Sequence, residues 1–153
     1  YNREVTTMNY EASLPGRIFT IRLSENDPVY ESVKTIARKE NVKRAVLWMI
    51  GGVKNGRVVV GAELDDERPI KPMQVYFPDS REVVGVGTLF PDESGEPSLH
   101  IHASLGKTGT SITGCPRLSL DCWLITEIIM QEISSGTAIR KADENGFHLL
   151  TIE

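Results

Sequence analysis

The stretch Leu99-His100-Ile101-His102-Ala103-Ser104-Leu105-Gly106 decides how this chain is read. Apolar and polar residues alternate along it, the pattern of a strand with one face against a core. Side chains two apart on a strand share a face. The imidazoles of His100 and His102 therefore point the same way, about 6–7 Å apart along the strand. Thr113-Gly114-Cys115 follows after a short glycine-containing segment and brings a thiol. Three nitrogen and sulfur donors with an open fourth position are the pattern of a catalytic or ligand-binding zinc-type site. The plain alternative is two partly exposed histidines on a solvent-facing strand, with a buried cysteine packing as a small hydrophobe.

Working back from this strand, Pro91 to Pro97 reads as a turn and Glu82 to Phe90 as a strand. Gly85 and Gly87 within it imply close backbone approach or a bend on one face. Arg17 to Leu23 has strand composition. Asp27 and Pro28 then mark a helix start, the first as cap and the second at the first helical position. Val29, Val33, Ile36 and Ala37 give that helix one apolar face, running to about Glu40. Val42 to Ile50 is a mostly buried strand ending at Gly51-Gly52, a turn that could alternatively touch an anion. Asn55-Gly56 signals a hairpin into a strand from Arg57 to Leu64. Asp65 to Pro72 is charged and proline-containing, hence a loop. It lacks the spacing of a calcium loop.

Forward from the histidines, Gly106 to Pro116 reads as a flexible loop of small residues. A strand is expected from about 123 to 132. Ala138 to Lys141 and Phe147 to Ile152 look like a closing hairpin around Asn145-Gly146. Residues 1–14 carry little apolar periodicity and read as a loosely ordered arm, or an edge strand borrowed by a partner. The economical arrangement is a single α+β domain over residues 1–153. One main helix packs on a largely antiparallel or mixed sheet of about seven strands.

The 153 residues suffice for a core without staples. The net charge of −4 argues against direct nucleic-acid binding, which calls for a basic stripe. No run of apolar residues is long enough to span a membrane, and no signal-peptide pattern opens the chain. Two cysteines are too few for a disulfide framework, so a cytoplasmic protein with reduced thiols is expected. Phosphate-cradling and dinucleotide glycine patterns are absent, as is a nucleophile elbow. Trp48 and Trp123 lie in apolar strands and read as core or interface anchors. His148 reads as a half-buried strand residue. Glu127 interrupts an apolar segment, so it is either exposed or buried with a partner such as Arg17, Arg22, Arg117 or Arg140.

The order of these motifs resembles the plant and prokaryote conserved (PPC) domain, in its stand-alone form without an AT-hook. The resemblance runs from about Arg17 to Ile152. It is carried by Ile18 to Leu23, the helix after Asp27, Met49-Ile50-Gly51-Gly52-Val53, Val83 to Leu89 and Thr126-Glu127-Ile128-Ile129. The closest match is His100-Ile101-His102-Ala103-Ser104-Leu105-Gly106. It implies an α+β domain assembling as a homotrimer, with a metal held by the His-x-His pair and a third histidine in a Gly-Gly-His loop. This chain has Thr113-Gly114-Cys115 there, and a thiolate suits zinc as imidazole does. Arg117 is another candidate for that position and could not ligate a metal. The expected ligands are thus His100, His102 and Cys115, and the expected ion is a divalent metal, zinc first.

Three readings of function follow. The first is a binding or regulatory module, DNA-binding or transcription-associated by resemblance, with a structural or effector-sensing metal. The second is a small metal-dependent enzyme in which Glu127 serves as base or outer-shell acceptor. The third is a structural trimer module without metal. A small-molecule ligand or effector at the metal fits the first two.

Overall fold

The computed structural model describes residues 8–117, 119–144 and 146–152. The elements in chain order are β1 (Pro15–Ser24), α1 (Val29–Lys39), β2 (Ala45–Lys54), β3 (Gly56–Ala62), β4 (Pro72–Phe77) and β5 (Arg81–Pro91). They continue with β6 (Pro97–Lys107), β7 (Thr110–Pro116), β8 (Asp121–Ile133), β9 (Ile139–Ala142) and β10 (His148–Thr151). One sheet has the order β1-β8-β2-β5-β6-β7-β3-β4, and β9 and β10 form a separate antiparallel pair. Every ladder in the large sheet is antiparallel. The fold is therefore α+β as expected, with eight strands in the main sheet rather than about seven in all. Of the segment expected to be a loose arm, residues 1–7 lie outside the described residues. Nearer β1, the Glu11 carboxylate accepts the Thr137 and Ala138 N–H groups at 2.7 and 3.1 Å.

Alternation sets the two faces of the sheet. Ala45, Leu47 and Met49 of β2, Leu89 of β5, Ile101 and Leu105 of β6, and Ile128 and Met130 of β8 are buried. Val29, Val33 and Ala37 of α1 complete the same core, as their spacing requires. Gly85 and Gly87 face this side too. A Cβ on Gly87 would lie 2.8 Å from Cγ1 of Ile101. Asp27 does not cap the helix: its carboxylate accepts the Ser24 N–H, and the Val29 N–H donates to the Leu120 carbonyl instead. The helix closes at Asn41, whose φ of 53° is left-handed, with the Val42 N–H returning to the Ala37 carbonyl.

Three local expectations fail. Asn55 takes the positive φ its type allows, but β2 and β3 do not pair. Both edges of β2 are already occupied by β5 and β8, so β3 turns away to β7 and β4. Gly51-Gly52 does not end β2, which runs on to Lys54. These glycines let β8 come close: a Cβ on either residue would stand 2.4 Å from a β8 carbonyl oxygen. Residues 110–116 form β7 rather than a loop, and 72–77 form β4. The hairpin expected around Asn145-Gly146 is present as β9 and β10, with Asn145 itself outside the described residues.

Where β7 leaves β6 and joins β3, Gly114 permits the crossing. A Cβ there would lie 2.2 Å from the Val59 carbonyl oxygen, a backbone atom. Gly114→Ala is expected to lower stability by about 1–3 kcal/mol in urea denaturation, because the two strands must separate. An unchanged midpoint would show that the strands adjust freely.

Candidate metal centre

Strand β6 pairs with β7 only from Ala103 to Lys107. Ala103 faces Gly114, so His102 and Cys115, the residues just beyond that pair, end side by side. His100 lies two residues further along β6 on the same face. The Nε2 atoms of the two imidazoles are 3.1 Å apart, and the rings meet edge to face at 4.9 Å between centroids. One ligand atom from each of His100, His102 and Cys115 lies within 4.8 Å of the other two. The structure thus brings together the three residues that the sequence paired by alternation and spacing. They are graded in depth: Cys115 is buried, His100 half-buried and His102 exposed.

These residues fit a tetrahedral ion. Zinc bound at its usual distances sets two nitrogen ligands about 3.3 Å apart and a nitrogen and a sulfur about 3.6 Å apart. The spacing of the donors needs only small side-chain rotations to match. Arg117 is not a ligand. Its Nε donates to the Cys115 Sγ at 3.4 Å, and its guanidinium lies 5.7 Å from the Phe147 ring centroid.

His100 is held neutral. Burial first, then the guanidinium of Arg140, then His102 and Arg117, push its pKa down to about 4. The unfolded chain has an ordinary histidine near 6.5. Above that value both states are neutral and the fold is unpenalised. As pH falls from about 6.5 toward about 4, the unfolded chain takes up a proton that the folded one refuses, so stability drops across that window. In metal-free protein the denaturation midpoint is therefore expected to fall over this range, and to fall less steeply in His100→Asn. Equal slopes would contradict a half-buried, neutral His100.

Glu127 is not part of this cluster. It is exposed on β8, opposite Arg22 of β1 and Ile50 of β2. Three strand spacings, about 14 Å, separate β8 from β6. His148 is exposed on β10 rather than half-buried. Sequence reasoning missed two residues beside the cluster, Tyr30 of α1 and Arg140 of β9. Arg140 was weighed only as a partner for Glu127, and instead it donates to the Thr88 Oγ1 at 2.7 Å and to the His148 carbonyl.

The outward face of the sheet next to the cluster is apolar. Trp48 is opposite Val86 and Ile129, Ile50 is opposite Val84, and Val86 is opposite His102. Trp48, Ile50, Val84, Val86 and Ile129 are between 40% and 67% exposed. A contiguous exposed patch of this kind marks an interaction surface. Among the described residues no helix is long and apolar enough to cross a membrane.

A large antiparallel sheet backed by one helix, with a His-x-His strand beside a partner-switching strand, defines a small class of α+β domain. The chain belongs to the Plants and Prokaryotes Conserved (PCC) domain family, whose sequence profile matches residues 10–134. No curated protein sequence matches it. Among solved structures it is similar to a plant- and prokaryote-conserved (PPC) protein of Pyrococcus horikoshii. That match has 24% identity and a TM-score of 0.81, and covers 95% of this chain and 99% of the other. A metal-containing protein of Archaeoglobus fulgidus is similar at 21% identity and a TM-score of 0.81, covering 94% and 99%. A Ralstonia eutropha protein provisionally designated DNA-binding is similar at 20% identity and a TM-score of 0.66, covering 88% and 90%. At these identities the likeness concerns the fold.

Proposed function

We propose that this chain is a trimeric binding or regulatory module that holds a divalent metal, zinc first, at His100, His102 and Cys115. The observation that carries the reading is the convergence of two imidazoles and a thiol within 4.8 Å. The metal-containing relative from Archaeoglobus fulgidus supports it. With three protein ligands, the ion keeps a fourth position for a ligand. The exposed apolar face around Trp48 is the surface that a second and third copy of the chain would cover.

Relatives provisionally designated DNA-binding support a transcription-associated role. A net charge of −4 gives this chain a poor field for phosphates, so nucleic acid would be reached through a partner. The reading as a metalloenzyme loses its named base within one chain, because Glu127 lies three strands away.

X-ray absorption at metal edges, on protein purified without chelators, tests the metal. The expected result is a zinc signal with two nitrogen and one sulfur neighbours. Zinc added to stripped protein should also raise the melting temperature. Less than about a tenth of an equivalent of metal, with no thermal shift on adding zinc, would refute the site.

A further inference from the structure

Below Ala103, β6 loses β7 as a neighbour, and the opening this leaves is a cavity of about 570 Å³. Its size is that of a small-molecule site. His100 and Cys115 lie on its wall, and α1 and the β9–β10 hairpin supply others. Two buried polar atoms there lack a hydrogen-bond partner among the described residues. Arg140 is only 7% exposed, yet no carboxylate pairs with it among the described residues, and its Nε has no hydrogen-bond partner. The Tyr30 hydroxyl is likewise buried without a partner. Arg117, exposed at the rim and donating to the Cys115 Sγ, adds a second guanidinium that has no carboxylate partner among the described residues.

Other charges on the wall are already engaged. Lys34 is paired with Glu31 at 3.2 Å. The Asp92 carboxylate accepts the Ser94 and Glu96 N–H groups within the β5–β6 turn. A buried guanidinium without a counter-ion is costly, and an orphaned buried hydroxyl adds to that cost. Among the described residues, Asp92 is the one carboxylate on this lining, against the two guanidiniums of Arg117 and Arg140. The rest of the wall includes Leu99, Phe147 and Leu150, which offer apolar contact rather than further donors.

We infer that this cavity binds a small organic carboxylate. Its carboxylate group accepts hydrogen bonds from the Tyr30 hydroxyl and the arginines, and its hydrocarbon body lies along Leu99, Phe147 and Leu150. Charge-assisted bonds from guanidinium to carboxylate are the strong ones of this kind. Calling the occupant an effector rests on the module proposed above. The binding itself rests on the cavity and its unpartnered donors.

Calorimetric titration of metal-free and zinc-loaded protein with hexanoate and with benzoate tests this. Hexan-1-ol and benzamide serve as neutral controls, and inorganic phosphate as a separate arm. Saturable binding of a carboxylate with Kd of about 1 mM or below is expected, with none for the neutral analogues. Tyr30→Phe should weaken it about five- to tenfold. The melting temperature of that variant without ligand should stay the same or rise, since an orphaned hydroxyl has gone. Arg117→Gln should weaken binding about tenfold or more.

The inference is overturned if neither carboxylate saturates by about 10 mM in either form. It is also overturned if the neutral analogues bind equally, if phosphate binds in place of the carboxylates, or if Tyr30→Phe leaves affinity unchanged. Carboxylate binding to a protein that takes up no zinc would sink the metal site and leave this one standing. Zinc uptake without carboxylate binding would do the reverse.

Discussion

Serine in place of Cys115 is expected to weaken zinc binding by roughly a hundredfold or more, read by competition with a chromophoric chelator. Disturbing an outer-shell partner already costs about 10–100-fold in metal affinity, and here a ligand itself goes. A serine hydroxyl stays protonated at neutral pH and is a poor match for an ion that favours thiolate and imidazole. The two imidazoles, 3.1 Å apart at Nε2, would remain as a weak two-point site. Cys122 is the control. It is fully buried and stands outside the cluster, so Cys122→Ser should cost stability and leave zinc affinity near that of the parent chain. Undiminished affinity in Cys115→Ser would remove Cys115 from the ligand set.

If the chain assembles as the proposed trimer, Trp48→Asp is expected to give monomers, in light scattering, at concentrations where the parent chain scatters as a trimer. Trp48 lies in the middle of the exposed apolar face, between Val86 and Ile129. Closing a subunit over that face would bury each introduced carboxylate without a partner, at a cost of several kcal/mol per copy. The fold of the single chain should survive, because the side chain is 45% exposed and points away from the core. Its far-ultraviolet circular dichroism should therefore match the parent. A parent chain that itself scatters as a monomer would end the trimer proposal.

The helix, β1, β2, β5, β6, β8 and the closing hairpin were legible because a long alternation or a helical stripe leaves a period in the sequence. Strands β4 and β7 were not. Thr110-Ser111-Ile112-Thr113-Gly114 has little apolar content, and it is a strand because β6 and then β3 offer it edges. The Asn55 turn was read correctly as a turn and wrongly as a hairpin. A turn is local, whereas pairing depends on which edges are free, and β5 and β8 had taken both edges of β2.

The same division holds at the site. His100, His102 and Cys115 come from neighbouring strands and could be grouped by spacing alone. Tyr30 and Arg140 stand 110 residues apart and meet the cluster only through the packing of α1 and the β9–β10 hairpin. No spacing rule reaches that far. The tell-tale in the structure is a buried guanidinium with no carboxylate beside it and a buried hydroxyl with no hydrogen-bond partner, among the described residues.

The departure of β7 from β6 divides one strand into two working lengths. From Ala103 to Lys107, β6 is flanked on both sides, by β5 for most of that length and by β7 throughout. From Pro97 to His102 its β5 edge is paired, and β7 has already gone over to β3. Outward-facing residues in the second length, with those of α1 and the hairpin around the opening, can change without breaking a ladder of the main sheet. Related chains can therefore diverge in what they hold while keeping the same scaffold. Variation between them should gather around the opening and thin out toward Leu105.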